Sequence, residues 1–229
     1  MTNPQRWTGT ASAGESALPS PSSLVLASGS PRRAVLMGQL SVPFQIVVSG
    51  GAETLAPGLT PAEQALHLAR QKARAVAAML PDGLILGADT VVAIDQALLG
   101  KPSDDADAAR MLRALSGQEH EVITGVALVD AATGAVASRA VVSTVRVRHL
   151  TDDEIAAYVA TGEPADKAGA YAIQGIGARV IAGLDGCFNT VVGLPMCAVA
   201  ALLADAGVAL PPAWHGCRLP DGSLCPNSV

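Results

Sequence analysis

The chain has 229 residues, half of them hydrophobic but only 3% aromatic, and a formal net charge of −5 at pH 7. That length suffices for one sizeable domain or two lobes around a cleft, with a core of Ala, Val, Leu and Ile rather than rings. The acidic balance and the lack of a basic run with interleaved aromatics argue against a nucleic-acid polymer as partner, and no apolar segment has the length of a membrane span or the form of a secretory leader.

Residues 1–23 are rich in Ser, Thr, Pro, Gly and Ala, show no periodicity, and read as a flexible N-terminal extension. Residues 24–210 read as one globular unit. Residues 211–229 form a Pro-rich C-terminal tail, with Trp214 placed to dock on the domain. The globular unit opens with a short apolar run, 24–27, that reads as a buried strand. Ser28-Gly29-Ser30 then turns the chain, Ser30 suits an N-cap, and Pro31 suits the first helical position. Arg32 and Arg33 follow in the first turn, where the helix dipole and free N–H groups favour anions over cations. The pair makes sense if a phosphate sits there, held by N–H groups and guanidiniums together. A solvated arginine pair fits the spacing equally well.

A second strand is expected at 45–49. Thr60-Pro61-Ala62-Glu63 gives a capping box that opens a helix to about Leu80. The run 84–94 reads as a buried strand with a polar interruption, 104–115 as a helix stopped by Ser116-Gly117, and 122–129 and 136–147 as strands joined by a turn at 131–134. Thr151 and Glu154 start another helix, through Val159. Segments 179–181 and 188–192 suggest a hairpin around Asp185-Gly186, and 196–206 the last helix. Helices alternating with strands, then paired strands, imply an α/β architecture with a mixed sheet.

Asp89 interrupts the apolar strand. An ionised carboxylate buried without partners costs on the order of several kcal/mol, so Asp89 is expected at a cleft, facing a cation, a metal or water. Gly87-Ala88 just before it lets other backbone come close. Lys101 lies on a stiff loop before Pro102. Lys72 sits mid-helix on the less polar side with Leu68, Ala69 and Val76, where snorkelling to solvent would also explain it. Glu53 lies in the loop after the second strand. The four histidines lie far apart and form no HExxH, and GxGxxG, Walker and GxSxG motifs are absent. Of the four cysteines, Cys187, Cys197, Cys217 and Cys225, no two form a CxxC, so spacing argues against a structural zinc site, and a disulfide framework is not expected at this size. A cytoplasmic address follows.

Taken together these residues resemble the Maf family of nucleoside triphosphate pyrophosphatases. The likeness runs through LASGSPRR (26–33), Glu53, LARQKA (68–73), GADTVV (87–92), LGKP (99–102), LSGQEHEVITGV (115–126), DKAGAYAIQG (166–175) and NTVVGLP (189–195), in the family's order. The DKAGAYAIQG segment is similar to the branch that hydrolyses dTTP and UTP rather than 7-methyl-GTP. The resemblance implies a twisted, elongated mixed sheet in two lobes around a nucleotide cleft, as in Maf and ITPase-like folds, often as a homodimer. It implies a divalent metal, Mg or Mn, with Asp89 and Glu53 as candidate ligands. It also implies a pyrimidine nucleoside triphosphate as substrate, cut at the α-phosphorus to monophosphate and pyrophosphate. Asp89 would accept the proton of the attacking water, with Glu53, Lys72 and Lys101 also catalytic. Ser28, Ser30, Arg32 and Arg33 would bind phosphate, and Arg32, Thr90 and Gln174 would tune base choice. The loop before Glu53 is Gly-Gly-Ala where the family commonly has an acidic residue. The alternatives are a nucleotide-binding regulator of septum formation and a pyrophosphatase for modified nucleotides.

Overall fold

The computed structural model of the chain describes residues 23–51, 53–212, 214–218 and 223–225. Within them the chain runs β1 (Leu24–Leu26), α1 (Pro31–Gly38), β2 (Gln45–Ile46), α2 (Pro61–Ala77), β3 (Leu84–Ile94), β4 (Ala97–Leu99), α3 (Asp105–Leu115), β5 (Glu119–Asp130), β6 (Val136–Val147), α4 (Asp152–Val159), three 3₁₀ turns (Glu163–Asp166, Ala168–Ala170 and Gly175–Val180), β7 (Ile181–Asp185), α5 (Phe188–Val192) and α6 (Met196–Asp205). The strands form a seven-stranded sheet in the order β2-β1-β3-β5-β6-β7, with β4 paired to β3. β1 is parallel to both its neighbours, and the other pairings are antiparallel. This is the mixed, helix-flanked α/β sheet that the sequence implies.

Local chemistry explains most boundaries. Ser30 caps α1, and Thr60 and Thr151 cap α2 and α4 through reciprocal boxes with Glu63 and Glu154. Asp130 accepts from the N–H groups of Ala132 and Thr133 and so fixes the β5–β6 turn. Several expectations need correction, and one hairpin has no counterpart among them. The second strand pairs only over Gln45–Ile46 rather than to Ser49. α2 stops at Ala77, short of Leu80, and α6 stops at Asp205 rather than Ala206. β3 turns through Asp95 and Gln96, both at positive φ, into β4, a hairpin without the usual Asn-Gly signature. The hairpin expected at 179–192 does not form: β7 pairs with β6, and 188–192 is the short helix α5. Thr-Val-Val there has strand propensity, but the Asn189 carbonyl accepts from the N–H groups of both Gly193 and Leu194 and closes a helical turn instead.

Alternation along β3 distributes the core over two faces of the sheet. Ile85, Val91 and Ala93 pack with residues of α2. Leu84, Leu86 and Ala88 pack with residues of α1, α5 and α6, while Val92, farther along that face, joins a separate cluster with α3 and α4. The two clusters part near Thr90. The expected extension, 1–23, lies outside the described residues except for Ser23. In the expected tail, Cys217 and Cys225 are buried in the first of these clusters, and Trp214 is partly buried against it.

Candidate active site

The parting between the clusters is a cleft of 1090 Å³, and strand alternation aims consecutive residues of β3 into it from opposite faces. Thr90 points toward α1. Arg33 reaches it from the first turn of α1, donating from Nη2 to Thr90 Oγ1 at 3.3 Å and from Nε to the Gly193 carbonyl at 2.8 Å. The Thr124 hydroxyl donates to the Thr190 carbonyl at 2.7 Å, so Thr90, 2.8 Å away, donates to Thr124 and accepts from Arg33. The guanidinium is thereby fixed by a directional chain through β3, β5 and α5. Burial lowers the Arg33 pKa from its ordinary value, against the pull of Asp89 and Glu53. Ser28 Oγ accepts from Arg33 Nη1 at 3.4 Å and from the Ser30 N–H at 3.2 Å, and Ser30 Oγ caps the Arg33 N–H at 3.5 Å.

Asp89 points the other way, toward α2. Lys72 Nζ lies 2.5 Å from Asp89 Oδ1 and 2.9 Å from Glu53 Oε1. What brings α2 so close is a pair of glycines: a Cβ on Gly87 would meet the Ala69 carbonyl at 2.3 Å, and one on Gly125 the Ala65 carbonyl at 2.4 Å. The loop bearing Glu53 is tied to the same helix. Gln71 accepts from the Thr54 N–H at 3.1 Å, Gln64 accepts from the Ala56 N–H at 3.1 Å, and His67 Nε2 donates to the Thr54 carbonyl at 3.2 Å. Burial pushes the Asp89 carboxyl above the usual carboxylate range, opposed by Lys72 and Arg33 and reinforced by Glu53.

The far wall holds the segment with Gln174. Glu163 accepts from the N–H groups of Ile176 at 3.1 Å and Gly177 at 2.7 Å and from the Tyr158 hydroxyl at 2.8 Å, clamping the backbone just after Gln174. Gln174 itself is exposed and makes no capping bond. Arg32 and Lys101 are exposed on the cleft wall. All ten residues singled out from the sequence therefore line one cleft: Ser28, Ser30, Arg32, Arg33, Glu53, Lys72, Asp89, Thr90, Lys101 and Gln174.

The chain matches the family described as Maf-like protein over residues 23–206. It belongs to the Maf family. It is 54% identical over 187 residues, 82% of this chain and 96% of the relative, to a dTTP/UTP pyrophosphatase of Moorella thermoacetica. It is 50% identical to that of Pelotomaculum thermopropionicum, over 80% of this chain and 96% of the relative. A solved nucleoside-triphosphatase / dITP/XTP pyrophosphatase of Mycobacterium abscessus aligns over 81% of this chain and 95% of its own, at 15% identity and a TM-score of 0.40.

Within this Maf site, sequence reasoning left three contributors unassigned. Lys167 lines the cleft and pairs with Asp166, and the charged pair opening the DKAG segment was the available signal. Thr124 and the Gly193 carbonyl orient Arg33, and nothing in their spacing marks them. Two carboxylates, Asp89 and Glu53, both reach Lys72 Nζ, and they are the residues that would hold a divalent cation beside it. Among the described residues no third carboxylate, His or Cys closes on them. Such a hard-oxygen pair fits Mg²⁺ or Mn²⁺, which takes one or two carboxylates and completes its shell with water and substrate phosphates.

Proposed function

We propose that the protein hydrolyses dTTP and UTP at the α-phosphorus, releasing nucleoside monophosphate and pyrophosphate. The observation that carries this reading is the convergence of Asp89 with Lys72 on one side and Arg33 on the other in a single cleft. The names of the Moorella and Pelotomaculum relatives support the choice of substrate.

Phosphoryl chemistry asks the protein for in-line positioning and for neutralisation of oxygens. Arg33 is held rigid by Gly193 and Thr90 and presents fixed donors to the phosphates, with Ser28 and Ser30 beside it. Arg32, Lys101 and Lys167 add positive charge around the cleft. Asp89 takes the proton of the attacking water. Its carboxyl is more basic than an ordinary aspartate because it is buried, and Lys72 keeps it ionised. A divalent cation of the Mg²⁺ or Mn²⁺ class, held by Asp89 and Glu53, supplies charge stabilisation and a lower water pKa when bound. Gln174 offers both a donor and an acceptor to a pyrimidine edge, and Glu163 fixes the turn that presents it. The proposal places the enzyme in the cytoplasm as a homodimer. No helix among the described residues is long and apolar enough to cross a membrane.

The deciding assay is release of pyrophosphate from a panel of nucleoside triphosphates with Mg²⁺ or Mn²⁺. Preferential release from UTP and dTTP is expected. Release of orthophosphate instead, or binding without turnover, would overturn the proposal.

A further inference from the structure

Three of the four cysteines meet at one point, with the fourth beside one of them, although they come from separate segments of the chain. Cys187 precedes α5, Cys197 lies on α6, and Cys217 and Cys225 come from the C-terminal stretch. The sulfurs of Cys187, Cys217 and Cys225 lie within 4.8 Å of one another, all buried. The Cys187 and Cys217 sulfurs lie 3.9 Å apart, and Cys197 approaches the group at Cys217. We infer that Cys187, Cys217 and Cys225 are the thiolate ligands of a structural zinc ion that fastens the C-terminal stretch to the nucleotide-binding domain, with Cys197, beside Cys217, the nearest candidate for the fourth position.

Geometry distinguishes this reading from a disulfide. The Cys187–Cys217 sulfur separation is 3.9 Å. A disulfide needs about 2.0 Å. Four thiolates placed tetrahedrally around zinc at about 2.3 Å stand about 3.8 Å apart.

The surroundings distinguish it from simple packing of small apolar side chains. Asn189, itself buried, donates from Nδ2 to Cys217 Sγ at 3.0 Å, the kind of amide donor that orients a thiolate ligand from outside the coordination shell. Ser143 Oγ accepts from the Cys187 N–H at 3.0 Å and donates to the Cys187 carbonyl at 3.1 Å, which fixes that ligand's backbone. Cys225 N–H donates to the Cys217 carbonyl at 2.8 Å, and Arg218 bridges Leu224. The two cysteines are thus the paired ends of a closed loop, as in a metal-holding knuckle. The residues 211–229 hold few large apolar side chains, and a segment so poor in core needs a staple to stay docked. Cys217 and Cys225 lie beyond 23–206, the part that matches the family, so the site is a property of this chain rather than of the Maf fold.

The site also bears on the cleft. Cys187 begins the segment that runs through α5 to Gly193, whose carbonyl orients Arg33. Zinc there anchors that segment from its other end.

The test uses the full chain purified under reducing conditions from zinc-supplemented medium. One zinc per chain by elemental analysis is expected, falling below about one tenth in Cys217→Ser and Cys225→Ser. Replacement by Co²⁺ is expected to give intense thiolate charge-transfer and tetrahedral d–d bands, which a cation held by the oxygens of Asp89 and Glu53 would not produce. Stripping the zinc should lower Tm by about 5 °C or more, restored on adding zinc. The cobalt spectrum and metal content of the unaltered chain decide the matter even if a variant fails to fold. A zinc-free chain lacking thiolate-to-cobalt bands, iron in place of zinc, or disulfides in the isolated protein would each overturn the inference.

Discussion

Asp89 is held between burial, which favours its neutral form, and the cations Lys72 and Arg33, which favour the ionised one; burial prevails and the folded pKa lies above 3.8. For catalysis, the acid limb of kcat/KM against pH should therefore fall above that value. Lys72→Met removes the largest opposing charge, so the limb should move to still higher pH, with a loss of about 10²-fold at neutral pH. A limb that stays in place in Lys72→Met would separate the lysine from the base. For stability, the folded chain binds the Asp89 proton more tightly than the unfolded one, so stability falls as pH rises through the unfolded pKa to the folded one. At neutral pH the ionised group is then a net cost to the fold. Asp89→Asn should reduce pyrophosphate release by about 10³-fold while Tm at pH 7 stays at or above that of the parent. A marked fall in Tm together with lost turnover would assign Asp89 a structural role. Gln174 belongs to the same scale: because Glu163 and not Gln174 holds the turn, Gln174→Ala should alter the ranking of UTP, dTTP and purine triphosphates without lowering Tm. An unchanged ranking would place base selection elsewhere.

At the scale of elements, α2 sets the geometry of the base, because it can deliver Lys72 to Asp89 only where the sheet lacks side chains. Gly87→Ala would set a Cβ 2.3 Å from the Ala69 carbonyl, a backbone atom that cannot swing aside. The expected cost is about 2 kcal/mol of stability together with reduced kcat/KM, read by urea unfolding and pyrophosphate release. Full activity would mean that the helix height is unimportant. This arrangement was partly legible in the sequence. Gly87-Ala88 beside an intrusive Asp89 announced a close approach, and the broken charge rule at Arg32 and Arg33 announced an anion site. The capping residues Ser30, Thr60 and Thr151 gave the helix starts. Other features were illegible because distant partners decide them. Val191 and Val192 carry strand propensity, yet a turn closed by Asn189 makes them helical. The cysteines show no metal spacing along the chain, and only the fold gathers three of them. His120 was equally silent in sequence. On β5 it is buried with Nε2 2.7 Å from the Tyr171 hydroxyl and Nδ1 unpartnered, and burial lowers its pKa to about 4. The unfolded chain binds that proton near 6.5, so between those values the unfolded state holds more protons and stability declines as pH falls. The loss should reach about 3 kcal/mol near pH 4, and His120→Gln should flatten this part of the urea-unfolding profile. An equally steep decline in the variant would move the effect to other groups.

For the molecule as a whole, the sheet joins two core clusters on one face that do not merge. One gathers α1, α5 and α6, the other α3 and α4, and β3 and β5 run beneath both. The cleft between them is lined by Arg33 from the first side and by Lys101, Lys167 and Gln174 from the second. A nucleotide bound across it contacts both, so binding should stabilise the fold as one unit. A non-hydrolysable UTP analogue at 100 times its Kd adds about 2.7 kcal/mol, which for a chain of this length raises Tm by about 5–10 °C. Arg33→Ala also lowers the Tm of the free protein, because Gly193 and Thr90 lose their common partner. The quantity to compare is therefore the shift caused by the analogue in each protein at one fixed concentration. That shift should shrink to about 2 °C or less in Arg33→Ala, because the anchor on the first side is gone and affinity falls with it. Shifts of equal size in the two proteins would place the phosphates away from Arg33. The positive charge at the start of α1 would then be a feature of the fold, and the cleft would need another occupant.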